Sequence, residues 1–187
     1  MITVHQRNQR QNGFVWPIIH LPIANCWFNN MIIRPAIPDD LPLILEIAQQ
    51  SATAAQWTSV EYARMLTNSS LSARLVLVIG EEGTSRMVHG FLVAKEIAGE
   101  WEIENLAVHE SQRRRGLGLR LLREFLEQVR LRQAKAIFLE VRESNAAARA
   151  LYEQCTFSEA GRRRSYYQNP QEDALILKFS FFGKSEI

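Results

Sequence analysis

An α/β fold, with one mixed sheet covered by helices, is what this 187-residue chain predicts, and three features of the sequence carry the prediction. Apolar runs of strand length recur at Leu75 to Ile79, Met87 to Glu96 and Glu102 to Val108, joined by turns that hold Gly83 and Gly99. The last run ends in Leu106-Ala107-Val108 and is followed, after four intervening residues, by Arg113-Arg114-Arg115-Gly116-Leu117-Gly118. From there Gly118, Leu121, Leu122, Phe125, Leu126 and Val129 recur at helical spacing. A short apolar strand, a short helix and two further strands close the chain.

Taken in order, residues 1–30 carry no acid, many Asn and Gln and no steady period, and read as an N-terminal extension, disordered or arising from a start codon set too early. Met31-Ile32-Ile33-Arg34-Pro35-Ala36 reads as the first strand. Asp39 is placed to cap a helix through Gln50, with Pro42 tolerated in its first turn and Leu41, Ile44, Leu45 and Ala48 as its buried stripe. Thr58 and Glu61 form a capping box for a second helix that reaches Asn68 or Ser69. The three meander strands follow, then the glycine-opened helix. Ala136 to Val141 is apolar like a central strand, Asn145 is the natural N-cap for a helix from Ala146 to Gln154, and strands at Phe157 to Tyr167 and Ala174 to Phe181 complete the sheet. The domain spans 31–182, with 183–187 as a tail.

The turn at Arg113 to Gly118 is a candidate anion site. Unpaired N–H groups of a first helical turn point at an anion, the helix dipole adds positive potential, and glycines allow close approach. Arginines add permanently charged planar donors. The pair of glycines lacks the third glycine of a dinucleotide fingerprint, and Gly183-Lys184-Ser185 is no P-loop because Lys178 stands where the first glycine belongs. Without the flanking strand and helix, a solvated turn is the favoured reading of the arginines, and the context reverses that preference.

Arg113-x-x-Gly116-x-Gly118 resembles the acetyl-CoA signature of the GNAT N-acetyltransferases. Leu139-Glu140-Val141-Arg142-Glu143-Ser144-Asn145, Ala150-Leu151-Tyr152-Glu153, Arg163-Arg164-Ser165-Tyr166-Tyr167 and Glu172-Asp173-Ala174 resemble the RimI-like branch of that family, the bacterial ribosomal-protein-alanine N-acetyltransferases. The resemblance covers about Met31 to Ser180. It implies the GNAT fold, a mixed and mostly antiparallel sheet splayed between its fourth and fifth strands and flanked by helices, with the CoA arm entering at the splay. It further implies acetyl-CoA as co-substrate, no metal, and as partner the N-terminal peptide of a small-subunit ribosomal protein.

Acyl transfer to an amine requires a deprotonated nucleophile, a polarised thioester carbonyl and a proton for the departing thiolate. An α-amine with a reference pKa of about 8 is mostly protonated at neutral pH, so a base is needed. Glu140 is the candidate, a carboxylate in an otherwise apolar strand whose alternation puts Leu139 and Val141 on one face and Phe138 and Glu140 on the other. Its semi-burial favours proton acceptance, directly or through a water. A solvated strand end or a partner in Arg142 is the plainer alternative. Tyr152 is the matching acid, since a phenol of pKa about 10 stays protonated at pH 7; helical spacing sets it on the side of Asn145 and Ala148, and it reads otherwise as a packing aromatic. In RimI-like enzymes the corresponding glutamate and tyrosine accept and donate the proton.

The resemblance also implies Leu106, Ala107 and Val108 for the pantetheine arm and the carbonyl oxygen, Arg114, Arg115, Gly116, Leu117, Gly118 and Leu119 for the pyrophosphate, and Asn145 beside it. Arg113 matches the first signature position and serves there by shape or charge. Trp57 resembles an aromatic of the substrate-side loop, although Gln56 replaces the usual proline. Tyr166 and Tyr167 are candidate walls for the peptide's first residue, with Glu172 and Asp173 attracting its ammonium; core packing and a capped turn explain the same residues. His109 is an alternative base or a structural strand-end residue. Thr156 departs from the glycine usual after the short helix.

Composition narrows the partners. Hydrophobic residues make up 47% and charged residues 22%, which suits one soluble domain. Arg7 and Arg10 are the only charged side chains before Met31, and the remaining 20 basic residues are matched by 20 acidic ones. That balance argues against a nucleic-acid binder, although Arg113 to Arg115 and Arg162 to Arg164 are short basic runs. Cys26 and Cys155 are too few for a disulfide framework, no Cys or His cluster suggests a metal, and Phe14 to Ile23 is broken by Pro17, His20 and Pro22. These features predict a reduced, cytoplasmic protein. The competing functions are acetylation of lysine side chains, polyamines or another small amine, and a CoA-sensing or ribosome-associated module without turnover.

Overall fold

Seven strands, β1 (Met31–Pro35), β2 (Arg74–Glu81), β3 (Val88–Ile97), β4 (Glu100–Val108), β5 (Ala136–Arg142), β6 (Ser158–Gln168) and β7 (Gln171–Ser180), form one sheet in the order β1-β2-β3-β4-β5-β7-β6. The computed structural model describes residues 31–51, 53, 55, 57–67, 73–81 and 87–181. The expectations for residues 1–30, Gln56, Asn68, Ser69, Gly83 and the 183–187 tail lie outside them. Every neighbouring pair is antiparallel except β4 and β5, which run parallel. Helices α1 (Leu41–Gln49), α2 (Ser59–Thr67), α3 (Leu117–Leu131) and α4 (Ala146–Glu153) flank the sheet, with 3-10 turns at Pro38–Asp40 and Glu110–Gln112. All seven strands and four helices match sequence patterns, with ends shifted by one to three residues.

The helices divide between the two faces as their apolar stripes dictate. Leu117, Leu121, Leu122, Phe125 and Val129 of α3 are fully buried against Leu77, Ile79, Leu92, Trp101 and Ile137 of the sheet. On the opposite face Ile44, Ile47 and Ala48 of α1 and Tyr62 and Leu66 of α2 pack on Val76, Val78, Phe91, Val93 and Ala107. That second cluster stops at β4. The same face of β5 and β7 carries the half-buried Phe138, Glu140, Ile176 and Lys178 instead. Among the described residues no helix is long and apolar enough to cross a membrane.

Two capping expectations resolve differently. Thr58 and Glu61 make the full box: the Glu61 carboxylate accepts from Thr58 N at 2.7 Å, and Thr58 Oγ1 accepts from Glu61 N at 3.3 Å. Asp39 does not open α1, because a 3-10 turn intervenes and the helix starts at Leu41. Asp40, fully buried, instead takes two bonds from the Arg34 guanidinium at 2.6 and 2.8 Å and one from Ile37 N at 2.8 Å. A buried carboxylate needs a paired cation and hydrogen-bond donors, and that requirement sets the geometry of this corner.

Candidate active site

The sheet opens in its middle. β4 and β5 pair only at Trp101↔Ile137, Glu102↔Phe138 and Ile103↔Leu139, and then part. At the same level β4 carries a bulge: Val93 of β3 faces Asn105 while its neighbour Ala94 faces Ile103, leaving Glu104 as the extra residue. The bulge inverts the alternation. Trp101 and Ile103 point into the α3 core, whereas Ala107 points into the α1–α2 core and Leu106 and Val108 now pack against the α3 side. Since His109 N bonds to His89 O at 2.8 Å, two-residue alternation turns the Leu106 and Val108 N–H groups away from β3, toward the side from which β5 has departed.

The glycine turn lies beside this opening. Arg114 (φ 60°) and Gly116 (φ 76°) adopt left-handed conformations, and Gly116 is the N-cap of α3. Having no side chain, it leaves the first-turn N–H groups uncapped where Ser or Asp would engage them; the first helical bond is Arg120 N to Gly116 O at 3.0 Å. The N–H groups of Leu117, Gly118 and Leu119 therefore end the helix as an open donor set. A Cβ on Gly118 would lie 3.5 Å from Leu106, 3.5 Å from Leu151 and 3.7 Å from Val108, so the helix start, the β4 end and α4 converge there. Arg114 and Arg115 are exposed, and Arg115 bonds Gln112 Oε1 at 3.1 Å.

Arg113 has a different task from its two neighbours. Its Nε donates to Val108 O at 3.0 Å and its Nη2 donates to Gln50 O at 3.0 Å and Ser51 Oγ at 3.1 Å. The side chain ties the glycine turn to the end of β4 and to the C-terminal carbonyls of α1, where a cation is favoured.

Glu140 is the first β5 residue past the last β4–β5 rung, and Glu104 holds the matching place on β4. The Glu140 partner is Arg163 of β6, Nε to Oε1 at 2.5 Å, rather than Arg142. Tyr166 also donates to Glu140, and this bond, with the carboxylate charge, raises its phenol above the ordinary value. Tyr167 meets Tyr166 edge to face at 5.2 Å and carries Arg142 over its ring at 3.9 Å. Burial first, and then the Glu140 charge, raises the Tyr167 phenol. Tyr152 is buried against Phe157, ring centroids 5.5 Å apart, and burial followed by the nearby Tyr167 phenol pushes its pKa far up. Tyr167 thus couples electrostatically to both candidate catalytic groups.

Asn145 caps α4, its Oδ1 accepting from Ala148 N at 3.1 Å. Trp57 lies edge to face on Tyr62 at 5.2 Å, at the margin of the α1–α2 core. His109 caps the Glu110–Gln112 turn, its Nδ1 accepting from Ser111 N at 3.3 Å and lying 2.8 Å from Ser111 Oγ. The Glu172 and Asp173 carboxylates are already engaged. Glu172 accepts from Ser144 N and from Arg142 at 3.2 Å, and Asp173 accepts from Ser165 N at 2.8 Å and from Arg162 at 3.3 Å. These bonds lower both acids, backbone donation being the leading cause; those of Glu172 tie β7 to the end of β5, and those of Asp173 tie it to β6.

Two groups escaped the sequence reading. Arg74 and Lys95 both engage Glu104, Lys95 at 3.2 Å, and Lys95 also pairs with Glu102 at 3.0 Å. Asn105, buried in β4, donates to Tyr62 Oη at 3.0 Å and to Ala55 O at 3.2 Å, pinning the α1–α2 segment beside the opening. Charges at Glu102 and Glu104 in an apolar strand were the available signal, but the bulge that separates their roles leaves no mark in the alternation.

Residues 41–157 match the family model described as Acetyltransferase (GNAT) family. A Salmonella typhimurium protein named [ribosomal protein bS18]-alanine N-acetyltransferase is 36% identical over 140 residues, covering 74% of this chain and 89% of that one. The crystal structure of the ribosomal-protein-S18-alanine N-acetyltransferase from Escherichia coli superposes with a TM-score of 0.70 at 30% identity, over 84% of this chain and 99% of that one. A putative acetyltransferase, yncA from Salmonella typhimurium, solved with its cofactor acetyl-CoA, shares the fold at 20% identity and a TM-score of 0.70, over 82% and 95% of the two chains.

Proposed function

The chain belongs to the GNAT family of N-acetyltransferases, and from that premise we propose that it transfers acetyl from acetyl-CoA to the α-amine of a protein N-terminus, in particular the N-terminal alanine of a small-subunit ribosomal protein. The observation that carries this reading is the place of Glu140, one residue beyond the last β4–β5 rung, with the Tyr166 and Tyr167 phenols near enough to feel its charge. The similarity to the Salmonella and Escherichia coli enzymes supports the substrate class.

Glu140 accepts the proton of the incoming ammonium, directly or through a water, and the freed amine nitrogen attacks the thioester carbonyl carbon. As the C–S bond breaks, Tyr152 protonates the departing sulfur so that CoA leaves as a thiol, and the second proton shed by the acylated nitrogen restores the phenol. Its burial keeps the phenol protonated until that moment, and Tyr167 stands close by on the Glu140 side. The Leu106, Ala107 and Val108 backbone holds the pantetheine arm and the carbonyl oxygen, a donor arrangement worth roughly 3 to 4 kcal/mol in rate. The open first turn of α3, residues 117–119, with Arg114, Arg115 and Gly116, holds the pyrophosphate, and Asn145 shapes the adjoining wall as the cap of α4. Trp57, Tyr166 and Tyr167 enclose the first peptide residue. Orientation of amine and thioester in one cleft supplies the larger share, roughly 7 to 11 kcal/mol.

Release of free thiol from acetyl-CoA separates the substrate classes. An Ala-starting ribosomal peptide is expected to turn over, and the same peptide with a blocked α-amine and a free lysine is expected to be inert. Acetylation of the lysine-only peptide at equal rate would assign the enzyme to side-chain amines instead.

A further inference from the structure

Arg163 is an unusual partner for a base. It stands on the edge strand β6, and Glu140 stands on β5, so their contact crosses the intervening β7; Arg163 lies opposite Ala174, and Glu140 opposite Ile176. Two strand spacings are about 9.5 Å, with a two-residue offset along the strands besides, and a long extended side chain spans them by running past the small side chain of Ala174. It reaches Glu140 through Nε, with the guanidinium 5.7 Å from the centre of the Tyr166 ring, and its side chain remains 56% exposed. Directly after Arg163 the β6–β7 register breaks, resuming only at Tyr167↔Glu172, and Ser165 adopts φ 50°.

The other arginines nearby are held differently. Arg142 bonds Glu172 Oε2 at 3.2 Å, the carbonyls of Asn169 and Pro170, and the Tyr167 ring. Arg162 pairs with both Glu143 at 2.9 Å and Asp173 at 3.3 Å. Arg163 thus presents a long, mostly solvated side chain engaging one carboxylate, at a point where the strand already departs from regular pairing.

We infer that Arg163 is an internal stand-in for the substrate's ammonium: its guanidinium occupies Glu140 when no peptide is bound, and an arriving α-ammonium displaces it into solvent. The inference rests on the reading of Glu140 as the amine-side carboxylate. An ammonium brought to the oxygen that Arg163 holds at 2.5 Å meets a like charge at close range, and the repulsion favours exchange over sharing. Tyr166 and Tyr167 stay in place during the exchange, since Arg142 anchors Tyr167 and Tyr167 supports Tyr166. Exposed ion pairs are weak, so the displacement costs about two- to fivefold in apparent peptide affinity.

The test is steady-state kinetics on the full chain with an Ala-starting peptide at saturating acetyl-CoA. Arg163→Gln is expected to lower the peptide KM roughly two- to fivefold and leave the KM for acetyl-CoA unchanged, while Arg163→Lys, which keeps the cation, retains the wild-type peptide KM. Inhibition by a des-amino analogue of the peptide, having no ammonium, should show no such gain. An unchanged or raised peptide KM in a folded Arg163→Gln protein overturns the inference, as does an equal gain for the des-amino analogue. Glu140→Gln distinguishes this failure from that of the underlying reading. If Glu140→Gln turns over at the wild-type rate, the base assignment falls, whereas the stand-in role falls if Arg163→Gln still lowers the KM in the Glu140→Gln background.

Discussion

Thr156 follows α4 at φ 63°, its N–H bonded to Glu153 O at 2.9 Å. A β-branched side chain at that backbone angle costs about 1 to 2 kcal/mol, part of which glycine returns as unfolded-chain entropy. Thr156→Gly is therefore expected to stabilise the protein by roughly 0.5 to 1 kcal/mol and to raise Tm by about 1 to 4 °C in a calorimetric scan. For the candidate catalytic pair, Glu140→Gln and Tyr152→Phe are each expected to lower turnover by about 10² to 10⁴-fold while calorimetric binding of acetyl-CoA persists. Wild-type turnover in both would remove the assignments. Arg113 belongs to a different category, because its three bonds go to protein carbonyls and a hydroxyl.

Elements, more than single residues, set what a linear reading can recover. The α2 box was legible because Thr58 and Glu61 are three residues apart, and the structure makes both of its bonds. Thr58→Ala is expected to cost about 0.5 to 2 kcal/mol, measurable as a shifted urea midpoint with unchanged slope. The strand–turn–helix unit around Gly116 and the cap at Asn145 were legible for the same reason, since their signals are local. Pairings that depend on register were not. Arg142 was the alternative partner for Glu140 that proximity in sequence offered, yet the carboxylate pairs with Arg163 of β6, 23 residues away and across the intervening β7. The partners of Glu172 and Asp173 were likewise hidden, since nothing in their spacing announces Ser144 N, Ser165 N, Arg142 and Arg162. The β4 bulge escaped for a like reason, being defined only against β3.

At the level of the whole molecule, two buried phenols link stability to alkaline pH. Burial raises Tyr62 to about 12, with the Asn105 bond opposing it, and raises Tyr152 further. Both folded values exceed the unfolded value near 10, so the stability they contribute is complete below about pH 10 and is lost as pH rises through the folded values. For Tyr62 a shift of this size corresponds to roughly 2 to 3 kcal/mol lost by the top of that window. Denaturant midpoints measured between pH 9 and 12 should therefore fall steeply, and Tyr62→Phe should flatten part of the fall. An ultraviolet phenolate titration in which every tyrosine ionises near pH 10 without unfolding would contradict this.

The three-rung union of β4 and β5 has a consequence for how the molecule behaves as a mechanical object. Beyond Ile103 the ladder is a half-open zipper, and a slender chain of amides laid into the gap would act as a surrogate strand. Deuterium uptake at Leu106 and Val108 is expected to be rapid in the empty protein and markedly slowed by acetyl-CoA, so that the donor stitches the two halves of the sheet together just before the amine arrives.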